Sequence, residues 1–146
     1  MEAALALMHL VYVSSAIRKY NDAELDEILN SSVRHNQQQN ITGMLLYADG
    51  NFIQVLEGES EAVEETFGRI TKDPRHQSIY VLLREAIHTR SFNRWAMGFR
   101  RVNKSDTDKL PGYSQIFEKG FDAFKFFGQE GMALTMLLTF AATNRA

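Results

Sequence analysis

The chain of 146 residues has no cysteine, two prolines and one tryptophan. The absence of cysteine excludes disulfides, thiol catalysis and cysteine metal sites, and the four histidines show no metal-ligand spacing. The formal net charge is only −2, so no overall positive field favours nucleic acid. No apolar run reaches the ~18 residues that span a bilayer. These absences favour a cytoplasmic protein that binds neither metal, nucleic acid nor membrane.

The length and the hydrophobic content of 45% are sufficient for one domain with a substantial core. The first seven residues are apolar but lack the basic region that begins a signal peptide, and Met8 is as plausible a start as Met1. We therefore expect an N-terminal extension over residues 1–8, a core domain over residues 9–103 and a C-terminal helical segment over residues 104–146.

Hydrophobic and β-branched residues predict five strands in the core domain. The second and third strands are joined by Asp49-Gly50, a strong signal for a two-residue hairpin. The last strand carries Trp95, Met97 and Phe99 on one face, which is typical of ordinary core packing. The strands are expected at residues 9–13, 41–48, 51–58, 79–87 and 95–102.

Two helices alternate with these strands. The first starts at Asn21 or Asp22, because Asn21 and Glu24 form a capping-box pair, and ends near Asn36, with residues 37–40 as a loop. Ser60 is expected to cap the second helix. Five glutamates between residues 57 and 65 are interpreted as a solvated face near the start of that helix, where the helix dipole favours anions. Further helices are expected at residues 114–127 and 130–144.

The order β-α-β-β-α-β-β indicates an α+β, ferredoxin-like fold with a five-stranded sheet. Helices one and two pack on one face of the sheet and leave the other face bare. The C-terminal segment is too apolar to be a solvated linker, since five of the ten phenylalanines lie between Phe117 and Phe127. We expect the C-terminal helices to cover the second face.

Alternation along the third strand places Phe52, Gln54 and Leu56 on one face. A buried Gln54 needs hydrogen-bond partners, and its amide both donates and accepts. It is either an ordinary satisfied amide or a group that senses a change at a polar ring. Tyr12 is likewise either a core tyrosine bonded to a carbonyl or part of a site. Asn36, at the end of helix one, either interacts with the helix dipole or donates to a ligand.

Six segments, in order, resemble the BLUF family of flavin-dependent blue-light sensors. Each is weakly specific alone, but six in the same order form a specific signal. They are LVYVSS at residues 10–15, RHN at 34–36, NITGMLLY at 40–47, FIQVLEGE at 52–59, RITKDPRH at 69–76 and FNRWAMGF at 92–99.

The resemblance implies a mixed sheet and a non-covalent flavin, FAD or FMN, held between helices one and two. Tyr12 matches the tyrosine that donates an electron, Gln54 the glutamine that switches, and Asn36 the asparagine that bonds the pyrimidine edge. Ser14, Trp95 and Met97 match the surrounding photochemical residues, although whether Trp95 and Met97 lie inside the pocket is left open. The expected cofactor-binding residues are Tyr12, Ser32, His35, Asn36, Phe52, Gln54, Arg69, Ile70, Asp73, Arg75 and His76.

The implied function is a light-driven switch and not an enzyme. Blue light excites the flavin, Tyr12 gives an electron, and a proton follows through Gln54, which returns in a changed orientation or tautomer. The signal then leaves through strand five and the C-terminal helices to a homo-oligomer or to a downstream protein. The alternatives are a small ferredoxin-like acyl-phosphate hydrolase, for which no glycine-rich anion loop is evident, and a light-insensitive interaction module.

Overall fold

The secondary structure follows the order that the sequence predicts. The computed structural model describes residues 6–48, 50–93, 96–101 and 130–143. Its elements are β1 (Leu7–Ala16), α1 (Asp22–Gln39), β2 (Thr42–Ala48), β3 (Asn51–Glu59), α2 (Ser60–Thr71), β4 (His76–Ala86), β5 (Gly98–Arg101) and α3 (Glu130–Thr143). The helix expected at 114–127 and the side chain of Trp95 lie outside the described residues.

The five strands form one sheet in the order β4-β1-β3-β2-β5. Strand β1 lies antiparallel to β3 and β4, β2 lies antiparallel to β3, and β5 runs parallel to β2. The sheet is therefore mixed, and the predicted α+β, ferredoxin-like fold is confirmed. The hairpin is confirmed as well, because Ala48 pairs with Asn51 and Gly50 has a φ of 79°, a conformation that glycine adopts without steric cost.

Helix α1 begins as predicted and ends later than predicted. The Asn21 side chain accepts from the Glu24 amide at 2.9 Å, and the Glu24 carboxylate accepts from the Asn21 amide at 3.1 Å, so the capping box is present. The prediction of a loop over residues 37–40 was wrong, since the helix continues to Gln39. Glutamine is a good helix former, and the helix stops only where Asn40 adopts the left-handed conformation at φ 54°.

Other boundaries differ from the prediction as well, and strand β1 extends over Leu7–Ala16, beyond the predicted residues 9–13 at both ends. Ser60 is the first residue of α2 and not its cap, because its hydroxyl donates to the Ala6 carbonyl at 3.1 Å. Strand β4 starts at His76, three residues early, because it stays paired with β1 as far as Ala16 across an irregularity where Ser78 has a φ of 54°. Strand β5 starts at Gly98, so Met97 lies just before it.

The two faces of the sheet are both covered. Helices α1 and α2 pack on the face that carries Tyr12, Leu45 and Phe52, where Leu25 and Val63 complete the apolar cluster. The next residues along the strands, among them Val11, Ile53 and Val55, point to the opposite face and are fully buried. Helix α3 packs against β2 and β3 and buries Ala133, Met136 and Leu137. Because α1 and α2 occupy the first face, α3 lies on the second.

One of the five glutamates contradicts the prediction of a solvated face. Glu57 is fully buried. It occupies the second face of β3, opposite Thr42 on β2, and its carboxylate accepts from the amides of Ser91 and Phe92 at 2.6 and 2.9 Å. The prediction failed because these amides belong to a segment more than thirty residues further along the chain. Among the described residues, no helix is long and apolar enough to cross a membrane.

Candidate functional site

Tyr12, Gln54 and Met97 form a continuous hydrogen-bonded chain below α1 and α2. Tyr12 on β1 is paired in register with Gln54 on β3, and each side chain is only 3% exposed. The phenol hydroxyl donates to Gln54 Oε1, and Gln54 Nε2 donates to Met97 Sδ at 3.2 Å. Both polar atoms of the buried Gln54 amide are therefore hydrogen-bonded. The bond to the Tyr12 hydroxyl is the stronger of the two, since a thioether is a poor acceptor.

Tyr12 remains protonated in this environment. Burial, reinforced by the negative charge of Asp73, raises the pKa of the Tyr12 phenol well above its ordinary value. The hydroxyl is consequently a hydrogen-bond donor throughout the physiological pH range. In the ground state the proton stays on Tyr12, with the Gln54 carbonyl as its acceptor.

His76 joins the end of α2 to the end of β1. Its Nε2 lies 2.6 Å from the Ile70 carbonyl, which can only accept, so Nε2 carries the proton. In the neutral ring Nδ1 then accepts from the Ser14 hydroxyl at 2.8 Å. The ring meets Tyr12 and Phe52 edge-on, with centroids 6.2 Å apart in both cases. Ser14 thus fixes a ring that packs against Tyr12.

Asp73 and Arg75 form an ion pair just before His76 in the chain. Arg75 Nε donates to both carboxylate oxygens at 2.9 Å, and its backbone amide also donates to Oδ1 at 2.9 Å. Partial burial raises the pKa of the Asp73 carboxyl, but the hydrogen bonds and positive charge of Arg75 outweigh it and hold that pKa below its usual range. Tyr20 fixes this turn, because its hydroxyl donates to the Arg75 carbonyl at 2.7 Å.

His35 is a neutral link between α1 and α2. Arg69, which can only donate, bonds to His35 Nδ1, so Nε2 carries the proton and donates to Thr66 Oγ1 at 3.0 Å. Burial, together with the charge of Arg69, lowers the pKa of the His35 imidazole. The next residue, Asn36, is buried, and its Nδ2 donates to the Ala96 carbonyl at 2.8 Å.

These groups surround two adjoining clefts between α1 and α2, with empty volumes of about 420 and 480 Å³. The clefts share Ser32, Gln54, Ile70, Asp73 and Arg75. The first is lined in addition by Tyr12, Ile28, Leu45, Phe52 and His76, and the second by Ser31, His35, Asn36, Leu56, Thr66 and Arg69.

The lining fits a flavin. Ile28 of α1 and Ile70 of α2 offer aliphatic contact to a flat ring from two helices, above a floor that contains Tyr12 and Gln54. The amide of Gln54 has both donors and acceptors, as the polar edge of an isoalloxazine requires. The exposed Arg69 supplies positive charge for an anionic tail, since guanidinium groups recognise phosphate well. The cleft therefore combines an apolar slot with a polar end and a cationic entrance.

A family profile described as "BLUF: Sensors of blue-light using FAD" matches residues 7–98, well over half of the chain. The chain belongs to the BLUF family. This is a family of blue-light sensors that use FAD, as the resemblance predicts. Photoactivated adenylate cyclase subunit beta from Euglena gracilis is 42% identical over 73 residues, which are 50% of this chain and 8% of that subunit. The chain thus spans less than a tenth of the length of that relative.

Two solved BLUF structures match over nearly their whole length. The structure titled "BlsA photo-activated state" is 33% identical with a TM-score of 0.77, and the match covers 90% of this chain and 94% of that one. The structure titled "BlrB - a BLUF protein, dark state structure" is 29% identical with a TM-score of 0.74, and the match covers 95% and 98% of the two chains. The BLUF fold therefore extends over the described core.

Every residue that the sequence predicts to bind the cofactor lines one of the two BLUF clefts. Ser14 and Met97 do not line the clefts, but each bonds to a residue that does, His76 and Gln54 respectively. Five lining residues were missed: Ile28, Ser31, Leu45, Leu56 and Thr66. Ile28 had a usable signal, because it lies one helical turn before Ser32 on the same stripe. Leu45 also had one, because the two-residue hairpin at Asp49-Gly50 sets the register that pairs it with Gln54.

Proposed function

We propose that the cleft between α1 and α2 binds FAD non-covalently and that Tyr12 and Gln54 are its photochemical partners. The observation that carries the proposal is the buried chain from Tyr12 through Gln54 to Met97 on the cleft floor. Non-covalent binding is supported by the absence of cysteine and by the engagement of both ring nitrogens of His35 and His76 in hydrogen bonds. The family description favours FAD over FMN.

A bound flavin supplies the absorption of blue light and, once excited, a strong oxidant next to the cleft floor. Tyr12 is the phenol positioned to give up an electron. Its proton then moves along the existing hydrogen bond to Gln54 Oε1, because loss of an electron makes the phenol O–H strongly acidic. When the proton and electron return to Tyr12, the Gln54 amide is left in its other orientation or tautomer.

The Gln54 amide is the two-state element of this mechanism. In the orientation seen here its oxygen faces Tyr12 and its nitrogen faces the Met97 sulfur. The reversed amide presents a donor to Tyr12 and an acceptor to Met97, so both neighbours must change their hydrogen bonding. A local exchange of this kind biases the balance between two conformations of the protein.

The output is proposed to pass through Met97 and β5, and through β3 to α3. It is then received by a second copy of the chain or by a downstream protein. Gln54 lies on β3 between Ile53 and Val55, which point to the face that α3 covers. The cytoplasmic location expected from the sequence remains a prediction.

A light-minus-dark absorption spectrum of the purified, flavin-loaded protein tests the proposal. We expect a small red shift of the flavin bands after blue light, reversed in the dark, and release of FAD on heat denaturation. Tyr12→Phe should keep the flavin and lose the red shift, because phenylalanine has no proton to give to Gln54. Tyr47→Phe is the matched control, since Tyr47 lies on the same sheet face but bonds to the Tyr20 amide. A normal red shift in Tyr12→Phe contradicts the proposed role.

A further inference from the structure

The carboxylate of Glu57 lies outside the flavin cleft and is fully partnered. It accepts from Thr42 Oγ1 at 2.9 Å, from the Ser91 amide at 2.6 Å and from the Phe92 amide at 2.9 Å. A buried carboxylate is costly unless such donors compensate its lost hydration. The backbone amides can only donate, so both oxygens of Glu57 act as acceptors. The buried carboxyl group of Glu57 therefore holds a backbone segment at this position.

Arg90 connects the start of the same segment to neighbouring elements through its guanidinium group. Its Nη1 donates to Thr42 Oγ1 at 3.0 Å and to the Glu57 carbonyl at 3.2 Å, and its Nη2 donates to the Asn40 carbonyl at 2.8 Å. Arg90 therefore ties the start of the segment to β3 and to the end of α1. Residues 90–92 are thus held by five hydrogen bonds. Two run from the backbone amides of Ser91 and Phe92 to the Glu57 carboxylate, and three run from the Arg90 guanidinium.

The chain that Glu57 holds leads directly to the photochemical site. Phe92 and Met97 are five residues apart in sequence. Glu57 anchors the Phe92 amide on the second face of β3, whereas Met97 belongs to the apolar cluster under α1 and α2. There Ala96 is held by Asn36, and the Met97 sulfur accepts from Gln54. Strand β3 thus fixes one segment at two points, through Glu57 on one face and Gln54 on the other.

The Met97 side chain packs against β2 at Gly43. A Cβ added to Gly43 would lie 3.3 Å from the Met97 methyl carbon, so that methyl group packs directly over the glycine. Its sulfur is also a weak acceptor for Gln54. A displacement of Met97 therefore removes the partner that Gln54 Nε2 has in the orientation seen here.

We infer that Glu57 is a positioning residue of the photoswitch: it holds the amides of Ser91 and Phe92 and so fixes the Met97 sulfur opposite Gln54. This inference rests on the proposed photochemical role of Gln54. Loosening the anchor should let Met97 move away from Gln54, lower the barrier to rotation of the Gln54 amide, and so shorten the life of the light-induced state.

Two variants and one control test this role in the flavin-loaded protein. Glu57→Gln keeps the side-chain size but turns an amide NH2 toward a backbone donor. Thr42→Val removes the hydrogen bond to Glu57 and the one from Arg90, with almost no change of shape. Glu85→Gln is the control, because it removes a carboxylate that pairs with His9 at 2.9 Å, on strand β4.

The first measurement is made in the dark and does not depend on photochemistry. Methyl NMR of methionine-labelled protein should show a shift of the Met97 resonance, assigned with Met97→Leu, in Glu57→Gln and Thr42→Val but not in Glu85→Gln. The second measurement is the dark-recovery rate, which should rise about tenfold in Glu57→Gln, as expected from loss of one hydrogen bond to the Glu57 carboxyl group. In the Met97→Leu background the same Glu57 substitution should leave recovery unchanged.

An unchanged Met97 resonance in both variants overturns the inference, as does recovery that is unchanged or slower at equal flavin occupancy. An effect of Glu57→Gln that persists at full size in Met97→Leu also overturns it, because Glu57 would then act by another route. Failure of the proposed photochemical function would look different. A wild-type protein without a red shift contradicts the proposed roles of Tyr12 and Gln54, while the dark NMR measurement still decides whether Glu57 positions Met97.

Discussion

Tyr12 and Gln54 are directly opposite each other on the antiparallel strands β1 and β3, and the phenol hydroxyl donates to the amide oxygen. Side chains at paired positions on one sheet face are held close together by the backbone. No mobile loop is needed to form this contact. The phenol hydroxyl and the amide oxygen are therefore aligned by the backbone itself.

The first prediction concerns the amide of Gln54. Gln54→Leu keeps a similar volume but removes the group that accepts from Tyr12 and donates to Met97. The protein should retain flavin and lose the red-shifted state, because leucine has no second hydrogen-bonded arrangement. Light-minus-dark spectroscopy at matched flavin occupancy measures the effect, and a normal red shift in the variant rules out the assignment.

The sequence was sufficient to predict features set by short-range chemistry. Alternation placed Gln54 on the buried face with Phe52, and the pair Asn21 and Glu24 marked the start of α1 correctly. Asp49-Gly50 marked the hairpin and hence the register between β2 and β3. These features depend on residues within four positions of one another, where geometry is nearly fixed.

The sequence was insufficient where partners are distant along the chain. Ser14 reaches His76 only because β4 shifts register beside Ser78, and no local pattern encodes that shift. Glu57 was expected in water, yet its partners are amides that arrive after β4. Residues that line a cleft from a distant element, such as Thr66 on α2, share this limitation.

The second prediction concerns Asn36, which the family resemblance assigns to the flavin ring and which also bonds to Ala96. Asn36→Ala should weaken flavin retention by up to roughly tenfold, since a hydrogen bond contributes about 0.5–1.5 kcal/mol. Flavin affinity can be measured by fluorescence titration of the apoprotein. Gln38→Ala, at an exposed position later in the same helix, is the control, and equal affinities in the two variants contradict the prediction.

The third prediction concerns pH. The pKa of His35 is lowered by burial and by Arg69, so the unfolded chain binds a proton at a higher pH than the folded chain does. The free energy of unfolding should therefore fall as the pH drops below about 6.5, the ordinary value for histidine. Urea denaturation at pH 7.5 and 5.5 measures this loss.

Substituting His35 isolates its share of the pH effect. His35→Gln cannot titrate in this range, so its unfolding free energy should depend less on pH than that of the wild type. His88→Gln is the control, because His88 is exposed. An identical pH dependence in wild type and His35→Gln shows that His35 does not contribute.

The fourth prediction concerns Gly43 on β2. A Cβ at this position would lie 2.0 Å from the Val55 carbonyl oxygen, a backbone atom of the paired sheet that cannot move aside. Gly43→Ala should lower the free energy of unfolding by at least roughly 1–3 kcal/mol. Gly68→Ala on α2 is the control, because nothing lies within 4 Å of its added Cβ, and it should be neutral or stabilising by roughly 0.5–1 kcal/mol. Equal unfolding midpoints for the two variants would be inconsistent with the close approach.

The fifth prediction concerns α3 and the direction in which the signal leaves. The helix packs on β2 and β3 and buries Ala133, Met136 and Leu137. Strand β3 carries Gln54 on one face and, on either side of it, Ile53 and Val55 on the face toward α3. A rearranged Gln54 that shifts β3 must therefore change the packing of α3, because a close-packed interior transmits small displacements.

Hydrogen exchange of the full chain in the dark and under blue light measures this change. We expect faster exchange in residues 130–143 under light, together with a light-dependent shift in the oligomeric state measured by size-exclusion chromatography. Gln54→Leu, which lacks the switch, should show the same exchange in both conditions and so separates photochemical signalling from heating by the lamp. If α3 exchanges identically in the two states while β5 changes, α3 is a static cover of the sheet and the output surface is reached through β5 alone.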